Sequence, residues 1–382
     1  MSAAPDYSVE ERERPAEADR LEGFAHPRET GELIGHGAAE AQLLDAFKSN
    51  RLHHGWLITG PEGIGKATLA YRFARFLLAS ERERVRSGGG LGIDPAGAAF
   101  ARVAALSHPN LLVLRRPWSA KRERFAQDIT VDEVRGLRPF LGNTAGSDGW
   151  RVVVVDRADD LNANAANALL KALEEPPPAC VFLLISSTPG RLPLTIRSRC
   201  RSLALTPLGE DDLRRAVLAA IAASGSPEPD ETTLARCAPL ARGSVRDALQ
   251  LIANDALALY GELIGALKSL PGLDHSALHK FAEAVAARGA EARYELALGL
   301  LEGLFLRLMR HAATGQGAIG EEAGLSQAMM SASSLARWAE LWETVQRSRT
   351  ETTALNLDRK SFVLGTFFRI EEVARREMTG RA

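Results

Sequence analysis

GPEGIGKATLA, residues 60–70, follows the apolar run HGWLIT (54–59) and leads into Leu69, Phe73, Phe76 and Leu77 at helical spacing. Strand, glycine-rich turn, helix is the setting of a phosphate-binding loop, whose pattern is G-x-x-x-x-G-K followed by Ser or Thr. Gly60, Gly63, Gly65 and Lys66 fit, and the next residue is Ala67. The glycines let backbone N–H groups close on phosphate at a helix N-terminus, and a lysine neutralises phosphate charge. The missing hydroxyl is the one that ligates magnesium. Thr68 lies about 100° further round the helix and is a poor substitute. The spacing predicts a loop of nucleotide-binding ancestry, and leaves open whether it still holds nucleotide.

Working outward, residues 151–156 read RVVVVD, a β-branched run that predicts a strand buried on both faces. Asp156 closes it, at the position where a P-loop ATPase keeps a magnesium-associated acid. The next residue is Arg157, where a water-activating carboxylate would stand; losing a positioned general base typically costs about 10²–10⁴-fold. A second reading of Asp156, as a strand-end acid satisfied by backbone, stays open. Further strands are expected at 110–115, 181–186 and 201–206. Helices are expected from Thr130, with Glu133 as a capping box, and over 161–175, ended by Pro176, Pro177 and Pro178. Strands alternating with helices predict a parallel sheet covered on both faces, with ligands at the carboxyl ends of its strands.

The chain has 382 residues, more than one ordinary domain, with 46% hydrophobic and 25% charged residues. Residues 1–29 are charged and Pro/Ala-rich and read as a disordered tail. Residues 30–207 form the α/β domain, 208–270 a helical lid and 271–382 a helical C-terminal domain. The formal net charge of -1 sets up no global field toward nucleic acid or membrane. Cys180, Cys200 and Cys237 are scattered, which argues against a zinc or disulfide framework and for a reducing, cytoplasmic compartment. The start has no apolar h-region, and no run is long enough to span a bilayer.

Three basic features remain. TIRSRCRSL (195–203) places Arg197, Arg199 and Arg201 at the entry of a strand; alone it also reads as a solvated basic turn. GSVRDALQL (243–251) puts Arg246 in the first turn of a helix opened by Ser244 and Asp247, where a cation opposes the helix dipole and an anionic partner would compensate. RRPWSAKRERF (115–125) interleaves aromatics with base and reads as a solvated hairpin or a phosphate-backbone contact.

Together these motifs resemble those of the delta-prime family of bacterial DNA polymerase III clamp-loader subunits. The resemblance is carried by NANAANALLKALEEPPP (162–178), SRC (198–200), GSVRDAL (243–249) and NLDRKSFVLGTFFRIEEVAR (356–375), and spans residues 30 to 376. It implies an AAA+ fold: an α/β P-loop domain with a parallel sheet, an all-α lid and an all-α collar for oligomerisation. It implies a fixed stator in a hetero-pentamer with clamp-loader ATPase subunits and a delta subunit, which places a sliding clamp on primed DNA. In such a subunit the SRC arginine, here Arg199, is offered in trans to ATP on a neighbour. Gly60, Gly63, Gly65, Lys66, Ala67, Thr68, Asp156 and Arg246 then form a degenerate nucleotide site, for which ATP binding without hydrolysis is one reading and loss of ATP binding the other. The chain would be no ATPase alone, but a subunit of a nucleotidyltransferase holoenzyme. The family's four-cysteine zinc module has no counterpart here, since 79–108 contains no cysteine, and no zinc is expected. An active AAA+ ATPase subunit, and a scaffold in which Arg199 is structural, are the rival readings.

Overall fold

Four consecutive valines, Val152 to Val155, are fully buried, as a strand covered on both faces requires. In the computed structural model, which describes residues 17–85, 90–119, 124–142, 149–254, 256–355 and 357–379, they form an interior strand of a five-stranded sheet. The chain runs through α1 (Gly37–Lys48), β1 (Gly55–Thr59), α2 (Lys66–Leu78), α3 (Glu81–Val85), α4 (Ala98–Ala104) and β2 (Leu111–Leu114). A short hairpin, β3 (Trp118–Ser119) and β4 (Arg124–Phe125), precedes α5 (Val131–Arg135), α6 (Leu137–Gly142), β5 (Arg151–Val155), α7 (Ala163–Glu174) and β6 (Cys180–Ser186). Then come α8 (Leu194–Arg197), β7 (Arg201–Ala204) and α9 (Glu210–Ser224).

The order is β2-β5-β6-β1-β7 and every pairing is parallel. The side-chain alternation of a strand divides the interior. Trp56, Ile58, Val152, Val154, Leu183 and Ile185 pack with Leu69, Phe73 and Phe76 of α2 on one face. Leu57, Val153, Val155, Phe182 and Leu184 pack with Leu169 and Leu173 of α7 on the other. This is the expected α/β domain with a parallel sheet covered on both faces, and the expected strands fall within a residue or two of their limits. Asn162 caps α7 by accepting from Ala165 N at 2.9 Å. The helix expected from Thr130 is broken after one turn: Thr130 makes no side-chain cap bond, α5 ends at Arg135, and α6 follows Gly136.

The tail needs correction. Residues 1–16 lie outside the described residues, but 17–29 are fastened to the α/β domain. Glu17 pairs with Arg115 at 2.8 Å and with Arg28 at 2.9 Å, and Asp19 pairs with His26 at 2.7 Å. Polar residues with little to bury are here held by ion pairs that composition counts as solvated.

The described residues divide into two compact units. The first runs to Glu228 and takes back Arg242–Arg246, so it includes α9, the first helix of the expected lid. The second comprises Pro229–Ala241 and the residues from Asp247 on. It contains α10 (Glu231–Ala241), most of α11 (Val245–Ala253), α12 (Ala256–Lys268), α13 (His275–Val285), α14 (Glu291–Thr314), α15 (Glu322–Met329), α16 (Leu335–Leu355) and α17 (Arg359–Thr379). Its interior includes the buried rings of Phe305 and Trp338, 5.9 Å apart, and a buried Glu322 that accepts from Arg307 and Tyr260. Among the described residues no helix is long and apolar enough to cross a membrane.

Candidate nucleotide site and the SRC arginine

The loop after β1 folds as its glycines require. Gly60, Gly63 and Gly65 have φ of 141°, 76° and 106°, which side-chain-bearing residues rarely adopt. A Cβ at Gly63 would stand 2.2 Å from Ser244 Oγ, so the 244–246 segment lies directly on the loop. Val245 N and Arg246 N both donate to Gly63 O, at 3.0 and 3.3 Å. His36 Nε2 donates to Ile64 O at 2.6 Å from the other side. The backbone of Arg246 is thus held against the loop.

Lys66 opens α2 and is buried. Its ammonium donates to Gly60 O at 2.7 Å, to Pro61 O, and to Ser187 Oγ at 3.0 Å. Burial pulls it down to about 8, against the opposing charges of Glu62, Asp159 and Asp156. Ala67 packs its methyl on the core and offers no oxygen, while Thr68, next along α2, is half-buried.

The acids after β5 have divided roles. Asp159 accepts from Ser186 Oγ at 2.5 Å, Ser187 N at 2.7 Å and Thr188 N at 3.2 Å. It fixes the end of β6 and with it the hydroxyl that meets Lys66. Asp156 is buried beside the carboxyl of Asp19; burial first, and then Asp19, push it well above the usual carboxylate range. Arg157, at φ 58°, pairs with Glu62 of the loop at 3.1 Å and with Asp160 at 3.4 Å. Where a water-activating acid would stand, a guanidinium clips the loop. The glycines and Lys66 therefore fit a phosphate. The surroundings of Ala67 and Asp156 do not fit a magnesium ion. Sequence reading missed Asp159, Ser187, His36 and Glu62; Asp159, three residues beyond Asp156, was the one with a visible signal.

Arg199 lies elsewhere. Its backbone carbonyl would be 3.2 Å from a Cβ at Gly55, the first residue of β1, whereas Gly60 follows the last. Five residues of strand, at about 3.3 Å each, put roughly 17 Å between the two ends. Arg199 is thus at the amino edge of the sheet, and the phosphate loop at the carboxyl edge. The guanidinium pairs with Glu174 Oε1 at 2.6 Å and donates to Thr195 O at 3.1 Å, with 37% of the side chain exposed. Arg197 is exposed beside it, and Arg201 lies over the Trp56 ring at 5.2 Å. Cys200 is half-buried at the start of β7, and burial raises its thiol to about 11.

In the basic hairpin, Arg115 is tied to Glu17 and Asp19, and Arg116 to Asp160 at 3.1 Å. Trp118 packs edge-on against Phe125 with 43% exposure. Lys121 and Arg122 lie outside the described residues.

Residues 35–209 match the model of a family described as DNA polymerase III, delta subunit. Over 147 residues the chain is 43% identical to a Pseudomonas aeruginosa protein named DNA polymerase III subunit delta′, covering 38% of this chain and 41% of that protein. Over 225 residues it is 29% identical to DNA polymerase III subunit tau/gamma of Haemophilus influenzae, covering 59% of this chain and 30% of that protein. The matched stretches therefore span less than half the length of these two relatives. A solved structure of a DNA polymerase III gamma subunit-related protein from Thermotoga maritima aligns with a TM-score of 0.40 and 19% identity, covering 88% of this chain and 100% of that chain.

Proposed function

We propose that this chain, a relative of the delta-prime subunits of DNA polymerase III, is the stator of a bacterial clamp loader and donates Arg199 to ATP bound on a neighbouring subunit. One observation carries this reading. Arg199 stands at the opposite edge of the sheet from the chain's own loop, so it serves a phosphate on another chain or none. An arginine so placed stabilises charge that develops on a transferring phosphoryl group. Its pairing with Glu174 and Thr195 keeps it extended and exposed until a neighbour docks.

The chain's own loop supports a holding role. Its glycines and Lys66 would bind the phosphates of ATP, and Arg246 lies within reach of the same loop. Ala67, the engaged Asp156 and the Arg157–Glu62 clip leave no place for magnesium or an activated water. The partners in this reading are tau/gamma-type ATPase subunits, a delta subunit, the sliding clamp and primed DNA, in a hetero-pentamer of the cytoplasm. The 271–382 region is its collar. No zinc enters the reading.

Reconstitution tests it. Adding the purified chain to the ATPase and delta subunits is expected to yield a single assembly on size exclusion. It should also raise DNA-stimulated clamp loading at least about tenfold over the mixture without it, a difference of about 1.4 kcal/mol in the loading barrier. An unchanged rate with no co-elution would refute it.

A further inference from the structure

We propose that the loop at residues 60–66 takes a nucleoside polyphosphate without its magnesium, the Arg157 guanidinium supplying the positive charge that the metal supplies in a P-loop enzyme. The inference rests on the holding role of this loop and names the form of nucleotide that it holds. The acids beside the loop are buried or engaged. Asp159 accepts from Ser186 Oγ, Ser187 N and Thr188 N at 2.5, 2.7 and 3.2 Å. Asp160 takes Arg116 at 3.1 Å and Arg157 at 3.4 Å. Asp156 is only 5% exposed, and Ala67 has no oxygen to offer. Glu62, on the loop itself, is held by Arg157 at 3.1 Å.

The cations are placed the other way. Lys66 Nζ lies against Gly60 O, Pro61 O and Ser187 Oγ. Arg157 reaches Glu62, which stands between Gly60 and Gly63, so its guanidinium lies over the loop from the β5 side. The two positive side chains are close enough for Arg157 to disfavour the Lys66 ammonium. A divalent cation brought between them is repelled by both, whereas a phosphate is attracted by both. The Arg157–Glu62 pair is the part that yields. Its side chains are 39% and 48% exposed, and a pair so solvated contributes little to stability. A polyphosphate carries more negative charge than the carboxylate and offers the planar fork several acceptor oxygens. It therefore takes Arg157 in exchange for Glu62, whose carboxylate turns to water. Magnesium bound to the same oxygens opposes that exchange.

Titration calorimetry of the full chain with ATP, in EDTA and in excess magnesium, tests this. Affinity is expected to be at least about tenfold higher in EDTA, because the metal screens the oxygens that Arg157 would take. Arg157→Gln should lose about tenfold in EDTA, as loss of a charged hydrogen-bond donor does, and with it the preference for metal-free ATP. Glu62→Gln releases the guanidinium from its carboxylate and should bind metal-free ATP at least as tightly as the wild type. It serves as the second variant if Arg157→Gln fails to fold. Binding that is as tight or tighter in magnesium, Arg157→Gln affinity equal to wild type, or weaker binding by Glu62→Gln would overturn the proposal and leave the holding role standing. No binding in either condition would remove the holding role, and the proposal with it.

Discussion

Arg199→Ala will lower DNA-stimulated ATP hydrolysis by the assembled loader about 10³-fold, the lower end of what an arginine supplied in trans contributes elsewhere. The fold of the chain should survive. The Arg199–Glu174 pair is more than a third exposed on both sides, and such pairs contribute about 0–1 kcal/mol. Arg199→Lys should not restore the rate, because an ammonium lacks the planar fork that meets two phosphate oxygens at once. Glu174→Gln is the control: it frees Arg199 without removing it, and hydrolysis should hold or rise. A rate unchanged in Arg199→Ala would leave the chain a scaffold. A rate lost equally in Glu174→Gln would show that the pair matters for local structure instead.

Phe182→Ala will cost about 3–5 kcal/mol of stability, as removal of a buried aromatic ring does. Phe182 is fully buried in β6, in register with Gly55 of β1 and Val153 of β5. Its ring belongs to the core formed with Leu57, Val155, Leu169 and Leu173. The cavity would open between β6, whose end leads into Ser187, and the helix that carries Glu174, so both the loop and the arginine would lose support. Urea unfolding with an unchanged slope checks it. A loss below about 1 kcal/mol would mean that the sheet does not pack through this ring.

Much of this architecture is legible in the sequence because its signals are local. Runs such as Val152 to Val155 announce buried strands, and Pro176 to Pro178 announce the end of α7. The loop declares itself by glycines whose backbone angles other residues avoid. The rest depends on pairings between distant segments. The order of the strands places Arg199 and Lys66 at opposite edges, and no spacing between residues 66 and 199 encodes that. Asp156 is visible as a strand-end acid, but its partner Asp19 sits in a segment whose polarity reads as tail. Arg115 and Arg116 looked like free base in a hairpin, yet Glu17, Asp19 and Asp160 neutralise them. Ion pairs of this kind leave no periodicity to read. The break at Gly136 was likewise hidden behind a good capping box.

The most direct test is magnesium-dependent ATP turnover by the purified chain alone, measured beside its Lys66→Ala variant. A subunit that lends an arginine but hydrolyses nothing should show no turnover above the variant's background. Turnover that requires magnesium and disappears in Lys66→Ala would contradict this. It would make the chain a motor despite Ala67, Arg157 and the engagement of Asp156.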